Sequence, residues 1–304
     1  MNLNKMRKRV GTEAIFSLLL MSWSCDPSPT PSTGRSTDFE TIPQSFPITP
    51  GIIDEASGIA MSAGMAGYLW TIQDSGQPNS LYLISPDGKA IKQFPLPSTV
   101  NHDWEDLAVG GGPKADVNYI YVADIGNNNA PMTATNIIYR IPEVADMNGS
   151  FKQSDLEKIT FKYPDGARDA ETILVDPTTK DIFIISKETD KTGIYRLASP
   201  QSLTETITAE RVGSIPSVFF TTGGNISVDG NEILVRTYLA VYYWQRKTGE
   251  TVGQTLIRAA DKQLTVAFEP QGEAVSFDRK ADGFYTLSEK GTANGVSLNY
   301  YKRK

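Results

Sequence analysis

Residues 103–108 read DWEDLA, and a short segment of the same pattern returns as EASGIA (55–60), DAETIL (169–174), TGGNIS (222–227) and QGEAVS (271–276). The five starts lie 48, 66, 53 and 49 residues apart. Self-similarity at a period near 50 residues is the signature of a repeat architecture. After each segment comes a turn, such as DPTTKD (176–181), VDGNE (228–232) or DRKADG (278–283), and then a β-branched and aromatic run: YLWTIQD, YIYVAD, DIFIISK, EILVRTY, GFYTLSEK. Runs of this length and composition between turn signals are strands. A third run carries tyrosine at nearly the same place each time, at Tyr82, Tyr139, Tyr195, Tyr242 with Tyr243, and Tyr300. A fourth, less regular run closes the first four units, as in AIKQFPL (90–96) and KITFKY (158–163).

Four antiparallel strands in about 50 residues describe one propeller blade. The expected fold is therefore all-β, a single five-bladed β-propeller over residues 39–304. The last unit has only three strands before the chain ends, whereas ETIPQSFPI (40–48) is a strand without a unit. Pairing the two closes the ring and removes the open edges that invite aggregation. Six blades are the alternative, if the long second unit hides another in its insertion around Asp146 to Asp155. Two separate β-sandwiches fit less well, because the repeat is evenly spaced.

Composition narrows the chemistry. With 25 Gly, 18 Pro and 13 Tyr in 304 residues, the chain is punctuated and aromatic, unlike a helical bundle. Acids outnumber bases by 35 to 29, so no basic footprint for nucleic acid is present. One Cys and one His exclude disulfide frameworks and zinc sites built from several Cys or His ligands. Oxygen-ligand metals such as Ca²⁺ are what remain.

The N-terminus carries Lys5, Arg7, Lys8 and Arg9, then the apolar run AIFSLLLMSW (14–23), then Ser24 and Cys25. The run is short for a bilayer span and reads as a secretory signal. It resembles a bacterial lipobox, with Ser22 where that pattern usually has Leu. Residues 1–24 are thus expected to be a lipoprotein signal peptide, Cys25 the lipidated residue, and the Pro/Ser/Thr-rich stretch 25–38 a tether. Plain secretion with a free Cys near the terminus is the alternative. The expected location is the cell envelope, periplasmic or at the outer membrane or cell surface, with the lipid anchor as the sole membrane contact and the folded body monomeric.

In a propeller blade the innermost strand lines the channel and the second runs back antiparallel, so the start of the first and the end of the second share one face. The starts carry Glu55 and Ser57, Asp103 and Glu105, Asp169 and Glu171, Thr222 and Asn225, and Gln271 and Glu273. The ends carry Asp74, Asp124, Lys187 with Glu188, Arg236, and Glu289 with Lys290. One channel mouth is therefore expected to be acidic. Crowded carboxylates need compensation, and three kinds are open. Arg168, Lys187, Arg236 and Lys290 would pair them internally. A Ca²⁺ ion would take Asp74, Asp103, Glu105, Asp124, Glu171 and Glu273, helped by the loops QDSGQPN (73–79) and ADIGNNN (123–129). Finally, a pair of carboxylates held at different pKa values would do acid–base work. His102, beside Asp103, is placed to act as a base or phosphate ligand, or is a loop residue bonded to a neighbouring acid. Trp104 is expected to pack between blades.

DWEDLAV, YVADIGNNN, IIYRIPE, YPDGARDAETILVDP, GNISVDGNEILVRTY and PQGEAVSF resemble, in order, the motifs of a group of bacterial secreted proteins and lipoproteins. The match covers about residues 50–290 and implies a propeller. The chain departs from that pattern at the fourth unit, where Gly224-Asn225 stand in place of an acid. Its repeated strand pattern is also loosely similar to phytase-like propellers and five-bladed calcium-activated nucleotidases. That similarity implies Ca²⁺-dependent phosphoester hydrolysis, with Asp103, Glu105, Glu171 and Glu273 as the matching acids and Arg168 and Arg236 as the arginines available for phosphate.

Three functional readings follow. The first is a lipid-anchored propeller binding a partner protein or a small anionic or carbohydrate ligand at its acidic mouth, with Ca²⁺ as a possible structural ion. Asp103, Asp169, Arg168, Arg236 and Glu273 would then contact the ligand. The second is a Ca²⁺-dependent phosphoesterase with His102, Glu105 and Glu171 as catalytic groups. The third is a glycosidase using paired carboxylates.

Overall fold

Successive strands of each repeat pair antiparallel with their neighbours as a meander, and the fifth sheet takes its outer strand from the N-terminal end of the folded body. In the computed structural model, which describes residues 34–129 and 131–304, β1 (Gln44–Pro47) comes first and belongs to the last blade. The first blade is β2 (Ala56–Met61), β3 (Leu69–Gln73), β4 (Ser80–Ile84) and β5 (Ile91–Pro95). The second is β6 (Trp104–Gly111), β7 (Asn118–Asp124), β8 (Asn136–Pro142) and β9 (Glu157–Lys162). The third is β10 (Ala170–Val175), β11 (Ile182–Ser186), β12 (Gly193–Leu197) and β14 (Glu210–Ser214), after the two-residue β13 (Ile207–Thr208), which pairs parallel to β9 of the blade before. The fourth is β15 (Thr221–Ile226), β16 (Glu232–Thr237), β17 (Val241–Gln245) and β18 (Lys262–Leu264). The fifth is β19 (Gln271–Phe277), β20 (Gly283–Glu289), β21 (Ser297–Lys302) and β1. The leader, Cys25 and the tether up to residue 33 lie outside the described residues. Among the described residues no helix is long and apolar enough to cross a membrane.

The core consists of five apolar clusters, one between each pair of neighbouring blades. Trp70 and Trp104 share the cluster between the first and second blades, Ile173 and Tyr121 the next, and Trp244 and Phe183 the one after. Val275 and Tyr243 lie between the fourth and fifth, and Ala274 and Ile59 between the fifth and first. Five interfaces for five blades mean a closed ring. The insertion of the second unit does not form a sixth blade. It carries a single 3₁₀ turn, Gln153–Asp155, and sends Val144 and Phe151 into the cluster shared with the first blade. Glu143, where the insertion starts, accepts the Trp70 indole N–H at 2.8 Å and the Ala63 backbone N–H at 3.1 Å. The extra residues strap two blades together.

Closure joins the two ends of the folded body. Strand β1 pairs with β21 from Gln44↔Tyr300 to Pro47↔Ser297, and the pairing is extended by an isolated bridge between Phe39 and Arg303. Phe39 packs edge-on against Phe284 at 5.0 Å, and the Arg303 guanidinium lies 4.4 Å above its ring. Asp38 pairs with Lys262. Folded structure thus starts a few residues before Phe39, within the stretch expected to be tether. Phe39→Ala is expected to cost about 3 kcal/mol, as for other buried phenylalanines, read as a lowered urea midpoint at unchanged slope. Truncation through Pro47 exposes the edge of β21, and light scattering on heating is expected to report aggregation.

Candidate functional site

Every innermost strand begins with a β-bulge. The register shifts fall between Ala56 and Ile59, Trp104 and Asp106, Ala170 and Thr172, Thr221 and Gly223, and Gly272 and Ala274. A bulge leaves one residue out of the ladder and re-aims its side chain. At the shared position stand Ser57, Glu105, Glu171, Thr222 and Glu273. The fourth unit is therefore offset by two residues from the repeat read in sequence. Thr222, not Gly224, replaces the glutamate, and Phe220 stands where the second blade has Asp103. On each second strand the residue after the one that pairs with the start of the bulge supplies another ring: Asp74, Ile125, Lys187, Tyr238 and Glu289. In three blades its backbone N–H bonds the carbonyl of the residue opening the unit, as in Asp74 to Glu55 (3.0 Å), Ile125 to Asp103 (3.2 Å) and Lys187 to Asp169 (3.0 Å).

These rings meet at one mouth. Carboxylate oxygens of Asp74, Asp103 and Glu105 all lie within 4.8 Å of one another. Burial, then the Asp74 charge, raises Asp103 to about 6. Glu105 is pushed well above its ordinary range by burial and by Glu171, Asp74 and Asp103. Burial also raises Glu289 to about 7, with Asp74 and Glu55 adding to it. Glu171 rises to about 8 because burial outweighs its ion pair with Lys187, and its Oε2 has no partner. Glu273 is raised by burial and by Glu171 and Glu289. Lys187, whose Nζ also lies 2.7 Å from the Tyr238 hydroxyl, pairs with Glu171, and together with the buried Arg236 it acts against the rise at Glu273; Lys290 is paired with Asp54 at 2.9 Å. Glu105 and Glu273, each about 5% exposed, accept no hydrogen bond and form no ion pair among the described residues. Gly126 packs so tightly here that a Cβ would come within 2.1 Å of the Glu105 carboxylate. A cleft of about 450 Å³ lined by Asp54, Glu55, Gln73, Gln77, Tyr82 and Gln93 adjoins the mouth at the first blade.

Beneath the mouth lies Asp106, which the sequence motifs did not single out. Its side chain is fully buried, and its Oδ2 accepts backbone N–H groups from Ile173 (3.0 Å) and Gly224 (3.2 Å) of the next two blades. Its Oδ1 accepts from Leu107 at 2.8 Å. A Cβ on Gly58 of the first blade would lie 2.7 Å from that same oxygen. One carboxylate thus reaches four blades and floors the channel. The signal in sequence was an acid where the other units have Gly58, Thr172, Gly223 and Ala274.

The remaining predicted residues have partners of their own. Asp124 does not join the acidic cluster: it is buried, its Oδ1 accepts the Asp103 backbone N–H at 2.9 Å, and its Oδ2 lies 2.9 Å from His102 Nδ1. The His102 side chain is 64% exposed and held by that contact. Asp169 accepts the Asn127 backbone N–H at 2.8 Å, so the 123–129 loop is pinned by hydrogen bonds. Arg168 is spent on Glu188 (2.7 Å) and Asp165 (2.9 Å). Arg236 is completely buried, bonded to Glu269 and, at 3.1 Å, to the Ala274 carbonyl. It lies two residues before the mouth position held by Tyr238, at the level of Ile72 and Ile185 in other blades, and so packs beneath the neighbouring strand. Trp104 is buried between the first two blades, as its apolar surroundings required.

No family model matches the chain, and no curated protein does. Among solved structures, a chain of a mitotic checkpoint complex is similar at 10% identity and a TM-score of 0.46, over 95% of this chain and 99% of that one. The Dos1 propeller follows at 10% and 0.37, over 81% and 68%. A functionally unknown protein from Desulfotomaculum acetoxidans DSM 771 gives 12% and 0.42, over 77% and 65%. The five closed sheets themselves define the class: a five-bladed β-propeller.

The raised carboxyls fix a pH dependence. Groups whose pKa is higher folded than unfolded bind more protons in the folded state, so their stabilising contribution is present at low pH and is lost as pH rises. With folded values of about 6, 7 and 8 for Asp103, Glu289 and Glu171 against ordinary values of 3.8, 4.5 and 4.5, the loss runs from about pH 4 to about pH 8. Without added metal, thermal denaturation across that range is expected to show a falling midpoint. Glu289→Gln is expected to flatten the fall and raise the midpoint at pH 8.

Proposed function

We propose that this propeller is a binding module whose acidic mouth takes up a positively charged group, with a hard divalent cation such as Ca²⁺ as its simplest occupant. The observation that carries the reading is the deeply buried Glu105 carboxylate, which accepts no hydrogen bond and pairs with no cation among the described residues. Buried acids of this kind cost free energy unless a ligand supplies the missing charge. Asp74, Asp103 and Glu105 are close enough to share one ion, and carboxylate oxygens are the ligands Ca²⁺ prefers. The lipid anchor at Cys25 would hold the module at the cell envelope, and the Pro/Ser/Thr tether would let the mouth face a partner.

The arrangement supports binding better than phosphoester or glycoside hydrolysis. Arg168 and Arg236 are both committed to carboxylates, so neither of the two arginines expected to clamp a phosphate is free to do so. His102 is turned toward Asp124.

A ligand that binds only the folded state raises its stability. Millimolar Ca²⁺ is therefore expected to raise the thermal midpoint at pH 7.5 by several degrees over EDTA, and Glu105→Gln to abolish the difference while raising the midpoint in EDTA. Equal midpoints with and without Ca²⁺, together with no bound metal by elemental analysis, would remove the divalent cation from the reading.

A further inference from the structure

The mouth face is electrostatically and chemically divided. Its closest-set acids, Asp74, Asp103 and Glu105, stand where the first and second blades meet, with Glu171 on the third blade and Glu273 and Glu289 on the fifth. In a five-membered ring the fourth blade lies opposite that junction, and there the rim is apolar. Phe219 and Phe220 lead into β15, Leu239 sits in the turn after β16, and Phe268 lies in the loop before β19. Their exposures are 39%, 45%, 80% and 83%.

One backbone bond and two contacts made by sequence neighbours place these loops on the rim of the third to fifth blades. The Phe220 backbone N–H bonds the Glu188 carbonyl of the third blade at 3.0 Å. Leu239 follows Tyr238, whose hydroxyl meets Lys187. Phe268 precedes Glu269, which holds Arg236 of the fourth blade. Phe220 also takes the ring position that Asp103 occupies in the second blade, with a left-handed φ of 55°. Bulky side chains seldom adopt that backbone conformation.

We propose that the mouth face docks a partner-protein segment presenting a lysine or arginine flanked by apolar side chains, the cation entering among Asp74, Asp103 and Glu105 and the apolar groups covering Phe219, Phe220, Leu239 and Phe268. The inference rests on the cation-binding reading of the mouth given above. Charge complementarity selects the occupant. A neutral or acidic partner seated on the apolar rim would strip water from uncompensated carboxylates, at a cost that its apolar contacts must overcome. A basic side chain supplies the missing charge while its neighbours bury the exposed rings, which are the residue types that dominate interface energetics. A bare metal ion would satisfy the acids and leave the apolar rim in water. Ca²⁺ and the side-chain cation contend for the same oxygens, so they should exclude one another.

The test is fluorescence anisotropy with the full chain and two labelled, capped peptides, identical except for one lysine or one glutamate between leucine and tryptophan in a Gly/Ser frame. The lysine peptide is expected to bind at least about tenfold more tightly than the glutamate peptide. Excess Ca²⁺ should displace it. The double variant Leu239→Ser with Phe268→Ser, whose thermal midpoint should match wild type because both side chains face solvent, is expected to weaken the lysine peptide by about tenfold or more. Equal affinity for the two peptides, or wild-type affinity in the double variant, overturns the inference. A lysine peptide that does not bind while Ca²⁺ still raises the midpoint also overturns it and leaves the cation-binding mouth standing. If neither the peptide nor Ca²⁺ has an effect, the proposed function falls with it.

Discussion

The carboxylate of Asp106 is the constraint around which the ring is arranged. It lies where the inner strands converge, and its three backbone donors come from the second, third and fourth blades. A buried acceptor must be satisfied, and here satisfaction requires neighbouring blades to hold their strand starts at one height. It also requires room. The equivalent positions of the other blades carry Gly58, Thr172, Gly223 and Ala274, and at Gly58 even a methyl group would collide with the carboxylate. A side chain that demands donors from several blades and small residues in the rest makes the ring cooperative. It also turns the channel into a blind mouth with a floor.

Above that floor the five bulges do the remaining work. Without them the residue at Glu105, Glu171 or Glu273 would follow the pleat and alternate in or out with its neighbours. The bulge lets both that residue and the next face inward, so that Glu105 reaches the mouth while Asp106 reaches the axis. Tight apposition of Gly126 against Glu105 and Asp103 keeps those carboxylates from swinging away into water. The result is a set of acids held closer to each other, and drier, than flexible side chains on a surface would choose to be.

Much of this architecture was legible in the chain. The turn-punctuated strands, the period near 50 residues and the unpaired strand at 40–48 were enough to read five blades and their closure, because each is a local pattern of hydrophobicity and turn residues. The site was legible only in part, for reasons of register. In a strand a slip of one residue reverses the face, and the fourth unit was aligned two residues late because TGGNIS resembles the other segments more in texture than in bulge position. That offset hid Phe220 and set Thr222 at the level of Asp103 when it belongs at that of Glu105. Reading Arg236 as the end of its strand likewise placed at the mouth a guanidinium that is buried below it. Asp124 looked like a metal ligand by type and neighbourhood, yet its oxygens are used by the Asp103 backbone and His102. No pattern in one unit could reveal Asp106, whose partners are backbone groups of other blades.

The mouth makes sense as a site at which stability is given up. Raised carboxyl pKa values mean that at neutral pH the folded ring must either bury carboxylates that the unfolded chain keeps in water or take up protons that the unfolded chain releases, and both cost free energy. Five interblade clusters oppose that cost, and the closing strand adds Phe39 against Phe284 and Arg303. Acids needed only to keep the fold soluble would sit on the rim, where water screens them at no cost. These are instead sunk beside a floor that cannot neutralise them, with Lys187 drawn aside toward Glu171 and Tyr238. An arrangement that leaves negative charge uncompensated in a dry, walled recess is complementary to a cation that arrives from outside, and its cost in the empty state is returned as affinity when that cation binds.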